Sequence, residues 1–151
     1  MSTLIEQAHA RQWFYSFELP DGSTPPTYQD SDIKAIHDTR WQMLQSCLDE
    51  RLGNTRAGLT ALDLASHQGW FAVNMARSGF ASVLGIDARE SHVEDSQLIR
   101  DIYRLEQLSF RQGDIHQLDQ EQLGQFDVVL MLGLLYHLEN PVGALRTCRS
   151  L

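Results

Sequence analysis

The sequence has few basic residues and no long hydrophobic run. Its 12 lysines and arginines are outnumbered by 20 aspartates and glutamates, which gives a formal net charge of −8. Because unaided binding to nucleic acid depends on a basic surface that neutralises phosphates, this charge does not favour nucleic acid as a partner. No apolar run approaches the roughly 20 residues that a membrane span needs, so we expect no membrane partner and a cytoplasmic protein.

Cysteine is also scarce. The chain has two cysteines, Cys47 and Cys148, which are far apart and lack the close spacing of metal ligands. We therefore expect two buried, reduced thiols and no metal site. The 151 residues, 42% of them hydrophobic, are enough for one domain of ordinary size with a buried core.

Residues 1–58 are predicted to form an N-terminal aromatic arm followed by a helix. Aromatic residues are concentrated at 13–17, and Pro20-Asp21-Gly22 has the composition of a tight turn. We interpret the aromatic residues as packing rather than as substrate contacts, because each ring is first a large apolar area to bury. The spacing of apolar residues over 32–52 predicts an amphipathic helix before the sheet.

Residues 59–151 are predicted to alternate between strands and helices. Apolar runs indicate strands at 59–65, 81–86, 109–113 and 126–132, and the nearly unbroken last run is typical of a parallel strand covered on both faces. The alternation predicts an α/β fold: a Rossmann-like, doubly wound, mostly parallel sheet in the order 3-2-1-4 within a three-layer αβα sandwich.

Two of the helices carry start signals in the sequence. Ser91 and Glu94 fit a capping box, from which a helix is expected to run to about Leu108. Asn140-Pro141 fits an N-cap followed by a proline at the first helical position.

Three aspartates lie at the ends of the first three predicted strands. Asp63 precedes a turn to the helix that opens at Gly69, and such a turn can present backbone amides to a ligand. Asp87 suits the two hydroxyls of a ribose, and Asp114 could accept a hydrogen bond from an exocyclic amine such as that of adenine. Taken singly, each could instead be a capping, solvated or turn-forming aspartate. Together they favour a nucleoside site at one edge of the sheet.

Four segments resemble, in order, the motifs of class I S-adenosylmethionine-dependent methyltransferases: LDLASHQGWF, LGIDAR, GDI and FDVVLMLGLLYHLENP. The resemblance implies that S-adenosylmethionine is the cofactor, that Asp63 and the turn after it hold its amino-acid end, and that Asp87 takes its ribose. Its adenine would pack on Ala88 and Ile115 and meet Asp114. The cofactor-binding residues expected from the resemblance are Asp63, Ala65, Ser66, His67, Gly69, Asp87, Ala88, Asp114, Ile115 and Met131.

The turn departs from the family pattern. That pattern usually reads D-x-G-x-G-x-G, whereas here Ala65 and His67 occupy two of the glycine places and only Gly69 remains. Because glycine permits unusual dihedral angles and close backbone approach, these two residues decide whether the turn keeps its affinity for the cofactor.

Further likenesses point to a subgroup. The aromatic pair Trp70-Phe71, the arm WFYSFELPDGSTPP and the loop LGLLYHLENP are similar to segments of the tRNA wobble-uridine oxyacetate-modifying methyltransferases and their relatives. This resemblance implies transfer of a methyl group to an oxygen or nitrogen nucleophile of a small molecule, a glycan or tRNA.

Tyr136 and His137 follow the fourth predicted strand and are the candidate catalytic residues. A neutral histidine can accept a proton from an acidic hydroxyl or amine, so His137 could act as a general base. Alternatively, both residues shape the pocket or contact the arm. Methyl transfer needs little acid–base help when the acceptor is already nucleophilic, because alignment supplies much of the rate.

Two rival functions remain open at this point. One is a catalytically inactive partner protein with the methyltransferase fold, whose glycine-poor turn no longer binds cofactor. The other is an NAD-dependent oxidoreductase, since Asp87 would also suit that ribose, although the turn lacks G-x-G-x-x-G.

The fourth strand is expected to form an open edge. The resemblance implies a seven-strand sheet, and four strands are predicted here. An unpaired apolar edge is a template for pairing. We therefore expect either a fragment that stops before the last three strands or a short form that completes its edge with a partner chain.

Overall fold

A four-stranded parallel sheet lies at the centre of the computed structural model, which describes residues 3–29, 32–53, 55–118 and 123–151. The strands are β1 (Thr60–Leu64), β2 (Ser82–Asp87), β3 (Leu108–Gln112) and β4 (Val128–Leu130). Their order is β3-β2-β1-β4, with every neighbouring pair parallel. The predicted fold class and strand order are therefore confirmed.

Five helices surround the sheet within the described residues: α1 (Leu4–His9), α2 (Asp32–Leu52), α3 (Trp70–Arg77), α4 (Glu90–Tyr103) and α5 (Pro141–Ser150). Two short 3₁₀ helices follow β3 and β4, at Ile115–Gln117 and Leu135–His137. One hydrophobic cluster joins α3, α4 and the arm to one face of the sheet, and a second lies on the opposite face with α5. This is the predicted three-layer arrangement.

Side chains of β1 alternate between the two faces, as the pleat of a strand requires. Ala61 belongs to the cluster beneath α3, and Leu62 and Leu64 to the cluster beneath α5. Leu64 pairs with Ile86 of β2, and Asp87 pairs with Gln112 of β3. This register brings the residues that follow β1, β2 and β3 to one edge of the sheet.

The arm before α2 packs on the body through its aromatic residues. Trp13 is fully buried, pairs with Thr27 and donates from its indole nitrogen to the Ala8 carbonyl over 2.8 Å. Phe17 is also buried, and Gly22 closes the predicted tight turn by donating to the Leu19 carbonyl. The short helix α1, which begins with a capping box between Thr3 and Glu6, was not predicted.

Two of the predicted boundaries are wrong for local reasons. Helix α4 begins at Glu90 with Arg89 as its N-cap, so Ser91 lies inside the helix rather than capping it. The helix ends at Tyr103 because Arg104 adopts a left-handed conformation (φ 56°), which frees Leu108 to enter β3. The predicted start of α5 is confirmed, since Asn140 accepts from the amide of Gly143.

The fourth strand and one thiol also differ from expectation. Strand β4 spans Val128–Leu130 only, a shorter segment than the apolar run suggested. Cys148 is partly buried but Cys47 is exposed, because it lies on a solvent-facing part of α2, so the prediction of two buried thiols is wrong for Cys47. No helix among the described residues is long and apolar enough to cross a membrane.

Candidate cofactor site at the carboxyl edge of the sheet

The turn between β1 and α3 has an alternating left-handed backbone. Ala65, His67 and Gly69 all have positive φ, at 56°, 52° and 79°. These are the three positions where the methyltransferase pattern has glycine. A left-handed conformation costs a residue with a side chain roughly 1–2 kcal/mol. The turn therefore keeps the glycine geometry at Ala65 and His67 and carries the associated strain.

Gly69 is the position where a side chain would not fit. A Cβ atom built on Gly69 would lie 2.6 Å from Phe110 Cζ and 2.9 Å from Ser96 Oγ. The same residue needs positive φ as the N-cap of α3. Close approach and backbone conformation thus both require glycine here, while the two other positions tolerate a side chain.

Asp87, at the end of β2, is contacted by two backbone amides that donate to it and by the ring of His92. Its Oδ2 accepts from the His67 amide over 2.8 Å, and its Oδ1 accepts from the Arg89 amide over 3.0 Å. His92 Nδ1 lies 3.1 Å from the same Oδ1. The residue predicted to bind the ribose is therefore hydrogen-bonded directly to the turn predicted to bind the cofactor.

His67 is neutral in this arrangement. Its Nδ1 accepts from the amide of Gln68 over 2.8 Å, which places the ring proton on Nε2. Burial, together with the neighbouring His92, lowers the pKa of His67 to about 4. The two imidazole rings stack with their centroids 3.9 Å apart.

Asp63 is buried below the turn. It is 2% exposed, and its Oδ2 has no hydrogen-bond partner in the described part of the chain. Burial raises the pKa of Asp63 to about 7, against the opposing effect of the Ala72 amide. Ser66 Oγ is likewise buried and unpartnered within the described residues. The turn and the strand end below it thus contain polar atoms that the described part of the chain does not satisfy.

A cavity of about 220 Å³ opens beside the turn. Four predicted cofactor residues line it: Ala65, Ala88, Asp114 and Ile115. The other lining residues were not predicted from the sequence: Leu64, Ile86, Gly113, His116, Leu118, Leu134 and Leu138. Largely apolar walls with one carboxylate among them suit a flat heterocycle that carries an amine.

Asp114 lies at the start of the 3₁₀ helix after β3. Its Oδ1 accepts from the His116 amide over 3.0 Å, the local bond of a capping aspartate. The same residue lines the cavity. The turn-forming role is therefore observed. The bond from an exocyclic amine stays a prediction, for which the carboxylate keeps further acceptor positions beyond the one used in the cap.

The remaining predicted residues lie outside the cavity lining. Met131 lies with its sulfur 3.9 Å from Cys148 Sγ, toward α5. Tyr136 is 79% exposed, and its ring centroid lies 4.3 Å from that of His137 on the 3₁₀ helix after β4. Leu134 and Leu138 on either side of this pair do line the cavity. The candidate catalytic pair is thus adjacent to the site and open to solvent.

The arm reaches the same turn through contacts that the sequence analysis did not identify. The Phe14 amide donates to Gln68 Oε1 over 2.7 Å, and Gln68 Nε2 donates to the Gln12 carbonyl over 3.1 Å. Tyr15 lies over His37 and His67, with ring centroids 4.5 Å and 5.7 Å away. No local sequence signal could have found these contacts, since they join residues that are distant along the chain, and those to His67 and Gln68 span more than fifty positions.

His37 is the most isolated polar group in this region. It is 1% exposed, and neither ring nitrogen has a hydrogen-bond partner among the described residues. Burial lowers the pKa of His37 to about 4. Its ring contacts Phe14, Tyr15 and Trp70, so it is a neutral member of an aromatic cluster that covers the turn.

The parallel sheet, the left-handed turn and the carboxylates at one edge define a Rossmann-like domain with a site for a nucleoside-type ligand. Within this class of domain, comparison with known protein families identifies one family. A family model for the methyltransferase domain matches residues 55–151, and the chain belongs to that family.

Two curated relatives support the assignment. The chain is 33% identical over 123 residues to the ubiquinone biosynthesis O-methyltransferase of Acinetobacter baumannii (strain AYE), an alignment that covers 82% of this chain and 51% of the relative. It is 35% identical over 126 residues to the protein of the same name from Pseudomonas paraeruginosa (strain PA7), with coverage of 82% and 51%. The chain spans about half the length of the curated relatives it matches.

Solved structures share the fold. The N-terminal domain of EvdMO1, crystallised in the presence of S-adenosylhomocysteine (SAH) and D-fucose, superposes with a TM-score of 0.71 at 24% identity, covering 88% of this chain and 52% of that one. Magnesium protoporphyrin IX methyltransferase (ChlM) from Synechocystis PCC 6803 with bound SAH gives 0.65 at 23% identity, covering 82% and 56%. The fold of this chain is therefore one found in methyltransferases.

Proposed function

We propose that this protein is an S-adenosylmethionine-dependent methyltransferase. The observation that carries the proposal is the arrangement of Asp87 beside a turn that keeps left-handed backbone at Ala65, His67 and Gly69. This arrangement comes together in a chain of the methyltransferase domain family.

The described residues fit the cofactor. The largely apolar cavity, which Asp114 also lines, suits adenine, and Ala88 and Ile115 would lie against the ring. Asp87 suits the ribose. The unsatisfied Oδ2 of Asp63, together with the turn residues Ser66 and His67, lies in the region assigned to the amino-acid end. S-adenosylmethionine, when bound, supplies an electrophilic methyl group on sulfur.

The chain's own residues then have three tasks. The turn and Asp87 fix the orientation of the cofactor, and orientation alone can supply a large part of the rate enhancement. The arm, through Tyr15 and the aromatic cluster around it, covers the turn and excludes water. His137, at the mouth of the site, accepts the proton released by the nucleophile, and Tyr136 shapes the entrance.

The acceptor is a nucleophilic oxygen or nitrogen on a small molecule, a glycan or tRNA. The curated relatives are named O-methyltransferases, which favours oxygen. The solved relative EvdMO1 was crystallised with D-fucose, which favours a sugar or other small polyol. The arm and loop resemble the tRNA-modifying subgroup, so tRNA remains within the proposal, although the net charge of −8 favours it least.

Calorimetric titration with SAH tests the proposal. We expect binding to the wild-type protein and a loss of at least tenfold in affinity for Asp87→Ala, since a ribose bound through a carboxylate loses charge-assisted hydrogen bonds worth about 1.5–3 kcal/mol. Glu50→Ala, on the exposed side of α2, is the control and should bind like wild type. Absence of SAH binding, with the protein folded, would favour the inactive-partner alternative. A thermal shift with NAD instead of SAH would favour the oxidoreductase.

A further inference from the structure

We propose that His92 sets the affinity for the cofactor by competing with its ribose for Asp87. The proposal deepens the proposed function and rests on it, because it takes Asp87 as the ribose ligand. His92 is absent from the motif set that the sequence analysis identified, and it belongs to the first turn of α4 rather than to the turn after β1.

The carboxylate of Asp87 can accept only a limited number of hydrogen bonds. An ionised carboxylate offers about four acceptor positions, two on each oxygen. The His67 amide uses one position on Oδ2, and the Arg89 amide uses one on Oδ1. His92 Nδ1 lies 3.1 Å from Oδ1, and because an ionised carboxylate only accepts, we assign the ring proton to Nδ1, which then uses the second position on Oδ1. One position, on Oδ2, remains.

A ribose that binds through both hydroxyls needs two positions, one on each oxygen. The two backbone donors belong to the turns that build the site and cannot leave without rebuilding it. The His92 side chain can leave, because it is attached through rotatable bonds. The His92 ring must therefore break its hydrogen bond to Asp87 Oδ1 before the second ribose hydroxyl can bind there.

The ring of His92 is held at Asp87 by more than one contact. It stacks on the ring of His67, with centroids 3.9 Å apart and planes inclined by 25°. The backbone beneath is also fixed, since Ser96 Oγ lies 2.7 Å from the His92 carbonyl and 3.1 Å from the His67 carbonyl. The His92 side chain is 14% exposed. Displacing it therefore opposes binding, and His92 acts as a positioning residue that limits affinity through Asp87.

His67 helps to hold the His92 ring against Asp87. It stands where the family pattern has glycine, and a glycine would give the His92 ring nothing to stack on. The departure from the glycine-rich turn thus has a second consequence besides backbone strain, because it supplies the surface that keeps His92 against Asp87.

Two substitutions test the hydrogen-bond donor and the aromatic ring of His92 separately. His92→Phe keeps a ring that can stack on His67 but removes the hydrogen-bond donor. His92→Asn keeps a donor at nearly the position of Nδ1 but removes the ring. We expect His92→Phe to bind SAH roughly tenfold more tightly than wild type, because the competing charge-assisted bond is gone. His92→Asn should restore an affinity close to that of wild type. His9→Phe, at an exposed histidine of α1, is the control and should bind SAH like wild type.

Analogues of SAH that lack one ribose hydroxyl distinguish competition for Asp87 from a general change in packing, because a packing effect would be the same for every analogue. Titrations are repeated with the 2′-deoxy and 3′-deoxy analogues of SAH. The gain from His92→Phe should disappear for the analogue that lacks the hydroxyl bound by Oδ1 and persist for the other. An equal gain with SAH and both analogues would overturn the proposal, as would a weaker or unchanged SAH affinity in His92→Phe. If instead wild type fails to bind SAH, or binds it independently of Asp87, the proposed function itself is wrong.

Discussion

Asp63 combines a buried position with a carboxyl group that has one unsatisfied oxygen. Its pKa is raised to about 7, whereas in the unfolded chain it would titrate near its ordinary value. Between these two pKa values the folded protein binds more protons than the unfolded one. The contribution of Asp63 to stability is therefore greatest at low pH and is lost as the pH rises toward neutrality and above.

Asp63→Asn should accordingly stabilise the protein at pH 8. The gain is expected to be a few kcal/mol, roughly 2–4, because the amide carries no charge to desolvate. Urea unfolding between pH 4 and 8 measures it, and the fall in stability over this range should flatten in the variant. The same variant should bind SAH more weakly if the carboxylate meets the amino-acid end of the cofactor.

Asp127 is the matched control for this prediction. Its pKa is lowered by hydrogen bonds from the backbone and then the side chain of Thr60, so its contribution is present at neutral pH and is lost as the pH falls. Asp127→Asn should thus weaken the protein slightly at pH 8, the opposite sign from Asp63→Asn. Equal effects of the two substitutions would contradict the assignment of the unfavourable charge to Asp63.

Ala65 tests the strain in the turn. Ala65→Gly should leave the free energy of unfolding unchanged or raise it by up to about 1 kcal/mol, because relief of the left-handed conformation offsets the greater freedom of glycine in the unfolded chain. Ala65→Val should destabilise the protein by about 2 kcal/mol or more, since β-branched residues disfavour positive φ strongly. Guanidinium unfolding of both variants measures the difference.

Ala88 provides the comparison for Ala65, because it lines the same cavity without positive φ. Ala88→Gly should destabilise the protein by roughly 0.5–1 kcal/mol, the usual cost of the glycine backbone. If Ala65→Gly were as destabilising as Ala88→Gly, the turn would not be strained at position 65.

At the scale of elements, the arm is joined to the cofactor turn through the side chain of Gln68. This side chain is 3% exposed and bonds to the Phe14 amide, the Gln12 carbonyl and Asp95 Oδ2. Arg11 pairs with the other oxygen of Asp95 at 2.6 Å. The arm and α4 are therefore both tied to the residue that precedes Gly69.

Gln68→Ala should release the arm without unfolding the sheet. It removes three hydrogen bonds and leaves the partly buried amide of Phe14 without its partner Gln68 Oε1, a cost of roughly 2–4 kcal/mol. We expect faster proteolysis within residues 3–29 and weaker SAH binding. Gln107→Ala, which removes a single bond to the Ala76 carbonyl, should lower stability by about 1 kcal/mol at most and leave the arm protected. Arm cleavage at the same rate in both variants would contradict the assigned role.

Local patterns in the sequence were enough for the strand order, for the boundaries of α2 and for the start of α5, because apolar spacing and the Asn140-Pro141 signal act within a few residues. They failed at α4, where a single left-handed residue, Arg104, ends the helix. They also could not show that the His67 amide would bind Asp87 or that Gln68 would hold the arm, since those bonds depend on tertiary placement. The predicted acids were therefore found, and the groups that surround them were not.

At the scale of the whole molecule, the sheet has an unpaired edge at β4 within the described chain. Strand β4 pairs with β1 and with no other strand of the described chain. Apolar side chains are exposed just beyond it and on the adjoining helix α5, at Leu132 (42%), Val142 (58%) and Leu145 (50%). The expectation that a partner chain or a further segment covers this edge stays a prediction.

For this 151-residue chain, the prediction is self-association at the β4 edge. An open parallel edge offers unpaired backbone donors and acceptors, and the neighbouring apolar side chains favour contact, whereas the net charge of −8 opposes it only over a distance that salt shortens. Sedimentation in moderate salt at micromolar concentrations should detect species larger than a monomer. Leu132→Lys should reduce them, because a charge beside the edge must be desolvated on pairing. Met43→Lys changes the net charge equally on the exposed face of α2, where the native side chain is 69% exposed, and should leave association unchanged. A compact, stable monomer in solution scattering, with the edge protected from amide exchange, would show that β4 needs no partner.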